Sequence, residues 1–225
     1  MADSTIFIVD DDDESREWFC SFVVSMQGQC EAYSSDDEFL SAYQPARSGC
    51  LVTSLDLRAT GKTPLHLEVA RRGWTLPVVI ASMQVDVPSA VRLMSEGAAY
   101  VVEKPYVPEN LRAAILFALE QDVQIRLQRF RIADLQGRFS RLTESEQAVL
   151  DLIAEGVPNK TIARRLDVAV RTIEARRRRV MEKLGVNSFA RLMTTYGEFR
   201  MINAEEAHSS LLRQPRWAMK ERRTG

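Results

Sequence analysis

The sequence predicts an α/β fold followed by an all-α domain: a (βα)5 doubly wound parallel sheet, a long linker helix, and a four-helix unit built on a helix–turn–helix. Three observations carry this expectation. Through the first half, short apolar runs rich in β-formers alternate with segments of helical spacing, the pattern of parallel strands covered on both faces by right-handed crossovers. From Pro108 a helical pattern continues with no Pro or Gly until Gly137. Beyond Leu142, short amphipathic segments closed by glycine take over.

In chain order, T-I-F-I-V (5–9) reads as a strand buried on both faces. A helix is expected over Glu14–Met26. Cys50–Val52, Pro77–Ala81 and Ala99–Val102 repeat the buried-strand pattern, with helices at Asp36–Tyr43, Leu65–Arg72, Pro88–Glu96 and Pro108–Leu119. In such sheets function gathers at the carboxyl ends of the strands. The run Asp10–Asp13, the pair Ser54 and Asp56, Ser82 and Lys104 would meet at one edge. Beyond Leu119 the helix continues, with Leu116, Val123 and Phe130 recurring at seven and Leu127 beside them. That stripe predicts pairing with a second copy; alternatively, Leu111, Ile115 and Leu119 pack on their own sheet and the rest is a solvated linker.

In the second half, Thr143 with Glu146 three residues on reads as a capping box. Helix one is expected over Glu144–Glu155, ended by Gly156. Helix two, Lys160–Leu166, is expected to be capped by Asn159, and helix three runs Arg171–Leu184, ended by Gly185. A helix–turn–helix with a basic last helix is a DNA-reading arrangement. The expected boundaries are 1–122 for the sheet domain, 123–140 for the linker helix, 141–196 for the helix–turn–helix domain and 197–225 for a basic extension.

Charge divides along the same line. Residues 1–124 hold nine Lys and Arg against nineteen Asp and Glu, a net of −10; residues 125–225 hold twenty-one against twelve, a net of +9. An acidic module joined to a basic one implies an anionic partner for the second. Cys20, Cys30 and Cys50 have no metal-ligand spacing, and His66 and His208 lie far apart, so the cysteines are expected to be core thiols in a reducing compartment, with no metal cluster. The apolar run Ile6–Val9 is too short for a signal peptide or a membrane span. A cytoplasmic protein is expected.

I-F-I-V-D-D-D-D-E, D-V-P-S-A-V, E-G-A-A-Y and V-V-E-K-P-Y resemble the receiver domain of bacterial two-component response regulators. L-T-E-S-E-Q-A-V-L-D-L-I-A-E-G-V-P-N-K-T-I-A-R-R-L with R-T-I-E-A-R-R-R-R-V-M-E-K-L-G-V resembles their LuxR-type DNA-binding domain, and the combination is that of FixJ/NarL-type regulators. The resemblance covers roughly residues 5–195. It implies Mg2+ held by Asp11 directly and Asp10 through water, Lys104 balancing phosphoryl oxygens, and Ser82 as the hydroxyl closing onto a phosphate. Asp12 and Asp13 read as a solvated turn.

At the phosphoacceptor the match departs from the family. Aligned without gaps between Asp10–Asp11 and Lys104, the family's aspartate falls on Ser54. The alternative is Asp56, which recovers the family's D-x-R as Asp56 and Arg58 and an apolar Leu65, at the expense of two residues inserted before the site and two removed after it. Neither register has the family's Met-Pro turn; under the second, Ala59 and Thr60 stand there. The family's switching aromatic is Val101, with Tyr100 one residue away on the other face. An atypical receiver, not governed by ordinary aspartyl phosphorylation, is the favoured reading.

In helix three, Ile173, Val180 and Leu184 share one stripe and are expected in the core. Glu174, Ala175 and Arg178 are the family's base-contact positions, with Arg171 on the same side. Thr172, Arg176, Arg177 and Arg179, with Lys160 and Arg164, suit phosphates. Arg176 replaces a histidine common in the family. Around Trp217, residues Arg213, Arg216, Lys220, Arg222 and Arg223 form either a further contact or a basic tail. The expected function is a non-enzymatic, sequence-specific transcription regulator that binds double-stranded DNA as a homodimer, with a sensor histidine kinase as a partner if Asp56 is used. The alternative from another class is a protein-interaction scaffold.

Overall fold

In the computed structural model the chain is described over residues 4–55, 63–83 and 85–212, with side chains as far as Glu205. Its order is β1 (Thr5–Val9), α1 (Asp13–Ser25), β2 (Gln29–Tyr33), α2 (Asp36–Ala42), β3 (Gly49–Ser54), α3 (Leu65–Arg71), β4 (Val78–Ser82), α4 (Val87–Ser95), β5 (Tyr100–Glu103), α5 (Pro108–Phe139), α6 (Glu144–Ala154), α7 (Asn159–Arg165), α8 (Val170–Leu184) and α9 (Phe189–Leu212). The chain divides into two compact units, Met1–Leu127 and Gln128–Gly225, and α5 runs from the first into the second.

The first unit is a parallel sheet in the order β2-β1-β3-β4-β5. Alternation along the strands splits its core into two layers. Ile6, Ile8, Val52, Val79 and Ala81 pack with Phe19 and Val23 of α1 and Leu111 and Ile115 of α5. Phe7, Val9, Leu51, Val78 and Ile80 pack with Phe39 of α2, Leu65 and Val69 of α3 and Leu93 of α4. The edge strand β2, Q-C-E-A-Y, had no counterpart among the apolar runs. It buries only Tyr33, because its neighbour lies on one side alone, and an edge strand needs no continuous apolar run. Asp12, expected in a solvated turn, is the N-cap of α1 and accepts from the Glu14 amide at 3.0 Å.

The cysteine expectation is corrected: Cys20 of α1 and Cys30 of β2 are joined in a disulfide, and only Cys50 is a free thiol among the described residues. Spacing alone carries no sign of this pair, because the contact arises from the turn that folds β2 back beside α1.

At the amino edge of the sheet, Asp122 of α5 is 2% exposed. Its carboxylate accepts from the Gly49 amide at 3.0 Å, the Ser48 hydroxyl at 2.7 Å and the Arg126 guanidinium at 2.8 Å. Arg126 also donates to the Ala46 carbonyl at 2.9 Å and to that of Arg47. Leu111, Ile115 and Leu119 are buried on the sheet, whereas Leu116, Val123, Leu127 and Phe130 are exposed. The packing expected for Leu111, Ile115 and Leu119 is therefore observed, and the stripe expected to pair with a second copy lies exposed.

In the second unit, Thr143 and Glu146 form the expected capping box, Thr143 Oγ1 accepting from the Glu146 amide and Glu146 accepting from the Thr143 amide. Lys183 of α8 donates to Glu146 Oε2 at 2.6 Å and to the Arg141 carbonyl at 2.9 Å, which fixes α8 against the start of α6. Asn159 is the first helical residue of α7; its N-cap is Pro158, with no side-chain cap bond. Gly185 closes α8 with φ +68, a left-handed conformation that favours glycine. Helix α9 carries past Gly197, with Phe199 stacked on Phe139 at 3.8 Å and Glu198 paired to Arg131 at 2.7 Å.

Removing the Asp122 carboxylate leaves a buried amide, a half-buried hydroxyl and a partly buried guanidinium without their acceptor. Asp122→Ala is expected to destabilise the first unit by about 3 kcal/mol, read as a lower urea midpoint with an unchanged m-value.

Candidate functional site

Parallel register builds the acidic pocket. Val9 pairs with Thr53, so Asp10 and Ser54 stand side by side where β1 and β3 end. Ser82 ends β4, and its carbonyl accepts from the Lys104 amide at 2.9 Å, which pins the chain beyond β5 to the same edge. The Lys104 ammonium donates to Asp10 Oδ2 at 3.0 Å and to Ser54 Oγ at 3.1 Å. Asp10 is 5% exposed and Ser54 7%.

Two side chains not anticipated from the sequence complete the surroundings of Asp10. Ser15 donates its hydroxyl to Asp10 Oδ2 at 3.0 Å, and Arg16 donates to the Asp10 carbonyl at 2.6 Å. The Asp12 amide reaches Asp10 Oδ1 at 3.1 Å. Burial pushes the Asp10 carboxyl up, but the Asp12 amide, the Lys104 ammonium and the Ser15 hydroxyl outweigh it and hold the group below the usual carboxylate value. The signal for these contacts was the helix start itself: once Asp12 caps α1, its first turn faces back over the end of β1.

Among the site residues expected from the sequence, Asp10, Ser54 and Lys104 come together, Ser82 lies on the same edge, and Asp11 is exposed beside Asp10. Val101 packs half-buried on the sheet layer that holds Ile80 and Leu93. Tyr100 faces the other way, against Phe117 with ring centroids 5.9 Å apart. Asp56 and Arg58 lie outside the described residues, as do Trp217 and the basic residues around it. The Mg2+ that the resemblance implies meets a depleted donor set. One Asp10 oxygen is shared by Lys104 and Ser15, and the strand end offers a hydroxyl, Ser54, in place of a carboxylate. Among the described residues, no three His, Cys, Asp or Glu side chains gather as a metal-ligating group. Asp10 and Asp11 are the carboxylates that the described residues bring to this strand end, and residues 56–62 beyond β3 lie outside the described residues.

The second site is a helix face. Ile173, Val180 and Leu184 are fully buried in the core of the second unit. Arg171, Glu174, Ala175, Arg178 and Arg179 are exposed, as are Lys160 and Arg164 on α7. Thr172, Arg176 and Arg177 are half-buried, and the Arg177 guanidinium lies 5.4 Å from the Phe189 ring centre. Burying one stripe of α8 thus turns an arginine-rich surface outward, interrupted by Glu174 and Ala175, with donors in the forked geometry that suits phosphate and guanine edges. Among the described residues, no helix is long and apolar enough to cross a membrane.

Comparison with known proteins matches residues 6–116 to the response regulator receiver domain and residues 140–195 to the bacterial regulatory proteins of the luxR family. The chain is similar to nodulation protein W of Bradyrhizobium diazoefficiens, 33% identical over 190 residues, covering 84% of this chain and 83% of that protein. It is also similar to transcriptional regulatory protein FixJ of Rhizobium meliloti, 32% identical over 194 residues, covering 86% and 95%. Among solved structures, response regulator StyR superposes with a TM-score of 0.80 at 31% identity, covering 88% of this chain and all of that one.

Because Asp10 is held below its ordinary value of 3.8, its bonds stabilise the fold above that pH and are lost as pH falls through the lower folded value. Asp10→Asn is expected to unfold at lower urea than the parent at pH 7. The gap should narrow below about pH 4, in urea titrations run across that range.

Proposed function

The chain belongs to the response-regulator family, a receiver domain joined to a DNA-binding domain of the luxR type, and on that premise we propose a transcription regulator whose receiver is not controlled by ordinary aspartyl phosphorylation. The observation that carries this reading is Ser54 Oγ at the end of β3, 3.1 Å from Lys104 Nζ and beside Asp10. A serine hydroxyl there forms no acyl phosphate, so the chemistry that drives a conventional receiver has no acceptor at this position. Lys104 has its counter-ion already, in Asp10.

Output then depends on assembly. Leu116, Val123, Leu127 and Phe130 leave an apolar stripe on α5 exposed, which supports a homodimer. Two copies present two α8 helices, as a two-fold operator on double-stranded DNA requires. Glu174, Ala175 and Arg178, with Arg171, are assigned to base edges; Lys160, Arg164, Thr172, Arg176, Arg177 and Arg179 are assigned to the phosphate backbone. The cationic face of α8 favours this over a protein-interaction scaffold, which would bind duplex weakly and without a salt slope.

Exposure to acetyl phosphate with Mg2+ tests the pocket by intact mass. The parent chain is expected to gain no phosphoryl group, and Ser54→Asp to gain one. Labelling of the parent that vanishes in Asp56→Ala would sink the proposal in favour of a conventional receiver with a sensor histidine kinase as phosphodonor. Binding to duplexes selected from a random pool tests α8. Arg178→Ala should cost about 1–3 kcal/mol and relax the preference at one base pair. Arg164→Ala should weaken all duplexes alike and lower the salt slope by about one.

A further inference from the structure

The disulfide joins two elements of unequal importance to the pocket. Cys20 lies on α1 and Cys30 in β2, bonded at 2.01 Å and ten residues apart. Both are half-buried at the rim of the core layer, within reach of solvent. Cys50 differs: it is 0% exposed, and burial, with the Asp122 charge second, pushes its thiol far up, so it stays protonated and inert. A regulator that binds the chromosome works among reducing thiol pools, where disulfides that form are usually transient, catalytic or redox-sensing.

What the bond holds is α1, and α1 touches the pocket from two sides. Its first turn supplies Ser15 and Arg16 to Asp10. On the next turn Trp18 stacks on Tyr106, ring centroids 5.5 Å apart and planes 7° from parallel. Tyr106 follows Lys104 by two residues, and the Lys104 ammonium lies 5.8 Å from its ring centre. On the β2 side, Cys30 adjoins Glu31, which accepts from Arg47 at 2.7 Å. Between the two cysteines the chain turns through Gln27 at φ 60, a left-handed conformation disfavoured for a residue with a side chain. The bond thus closes a short loop with a strained turn and ties it to the helix that buttresses Asp10 and Lys104.

We infer that Cys20 and Cys30 form a reversible thiol–disulfide site that sets how firmly α1 holds the Asp10–Lys104 pocket, with a dithiol, protein or small-molecule, as co-reactant. This stands whether or not Ser54 is the acceptor position. In the reducing direction, a thiolate of the dithiol attacks one sulfur, the Cys20–Cys30 bond breaks and a mixed disulfide forms. The second thiol of the reagent then closes its own disulfide and releases the protein. Two electrons and two protons pass to Cys20 and Cys30, which end as thiols, and the oxidised dithiol reverses the process. Opening the loop returns conformational freedom to the turn and loosens α1.

The full chain, equilibrated with defined ratios of reduced and oxidised dithiothreitol and trapped with iodoacetamide, reads the bond by mass. Cys20 and Cys30 are expected to switch together, while Cys50 is alkylated only after denaturation. Hydrogen exchange on the same samples is expected to be about tenfold faster across residues 13–25 in the reduced form, with α6, α7 and α8 unchanged. The melting temperature of the first unit should fall by about 5–10 °C. A Cys20→Ser/Cys30→Ser double variant should match the reduced form in both media; should it not fold, the oxidised and reduced parent decide alone. Thiols that stay open to alkylation at every ratio would overturn the site. So would equal exchange of α1, within about twofold, in the two states of the parent.

Discussion

The ammonium of Lys104 holds the carboxyl edge of the sheet together. A charge so nearly enclosed must be paired, and it is shared between the Asp10 carboxylate and the Ser54 hydroxyl. Three strand ends, those of β1, β3 and β5, converge on that one group. The fourth, β4, joins through the Ser82 carbonyl that receives the Lys104 amide. Helix α1 is drawn in because Asp10 still has acceptor capacity, which Ser15 and the Asp12 amide fill. Every hydrogen bond that Asp10 accepts thus ties a different part of the chain to this edge: β5 through Lys104, and the start of α1 through Ser15 and the Asp12 amide.

A second buried carboxylate does the same work at the opposite edge. Asp122 binds the amide that opens β3 and the guanidinium of Arg126, which in turn caps two carbonyls of the preceding loop. It secures α5 to the sheet on the last turns before that helix enters the second unit. The apolar residues of α5 are divided accordingly. Those facing the sheet are buried, and Leu116, Val123, Leu127 and Phe130 face away.

The second unit shows how a DNA-reading surface arises from packing. Ile173, Val180 and Leu184 commit one face of α8 to the core, and Lys183 locks the far end of α8 to the capping box of α6. Every remaining arginine of the R-R-R-R run is then on the accessible or half-accessible side. Such a face needs no special device beyond an amphipathic helix whose polar side is rich in arginine.

Patterns with a short period were legible in the sequence. Whereas β5, expected to be buried on both faces, is an edge strand that buries only Val102, the buried runs of β1, β3 and β4, the capping box, the glycine that ends α8 and the core stripe of α8 all follow from local apolar pattern, capping chemistry or helical spacing. So did the grouping of Asp10, Ser54, Ser82 and Lys104 at one edge, since parallel strands put their carboxyl ends together. The edge strand β2 and the helix cap at Asp12 were missed because their signals are weak and local: a mixed-polarity strand, and one aspartate among four. The Ser15 and Arg16 contacts with Asp10 follow from that cap and were missed with it. The Cys20–Cys30 bond and the Asp122 clamp came only from the tertiary structure: the first needs the turn that folds β2 back beside α1, the second needs α5 laid on the sheet so that Asp122 meets Ser48 and Gly49.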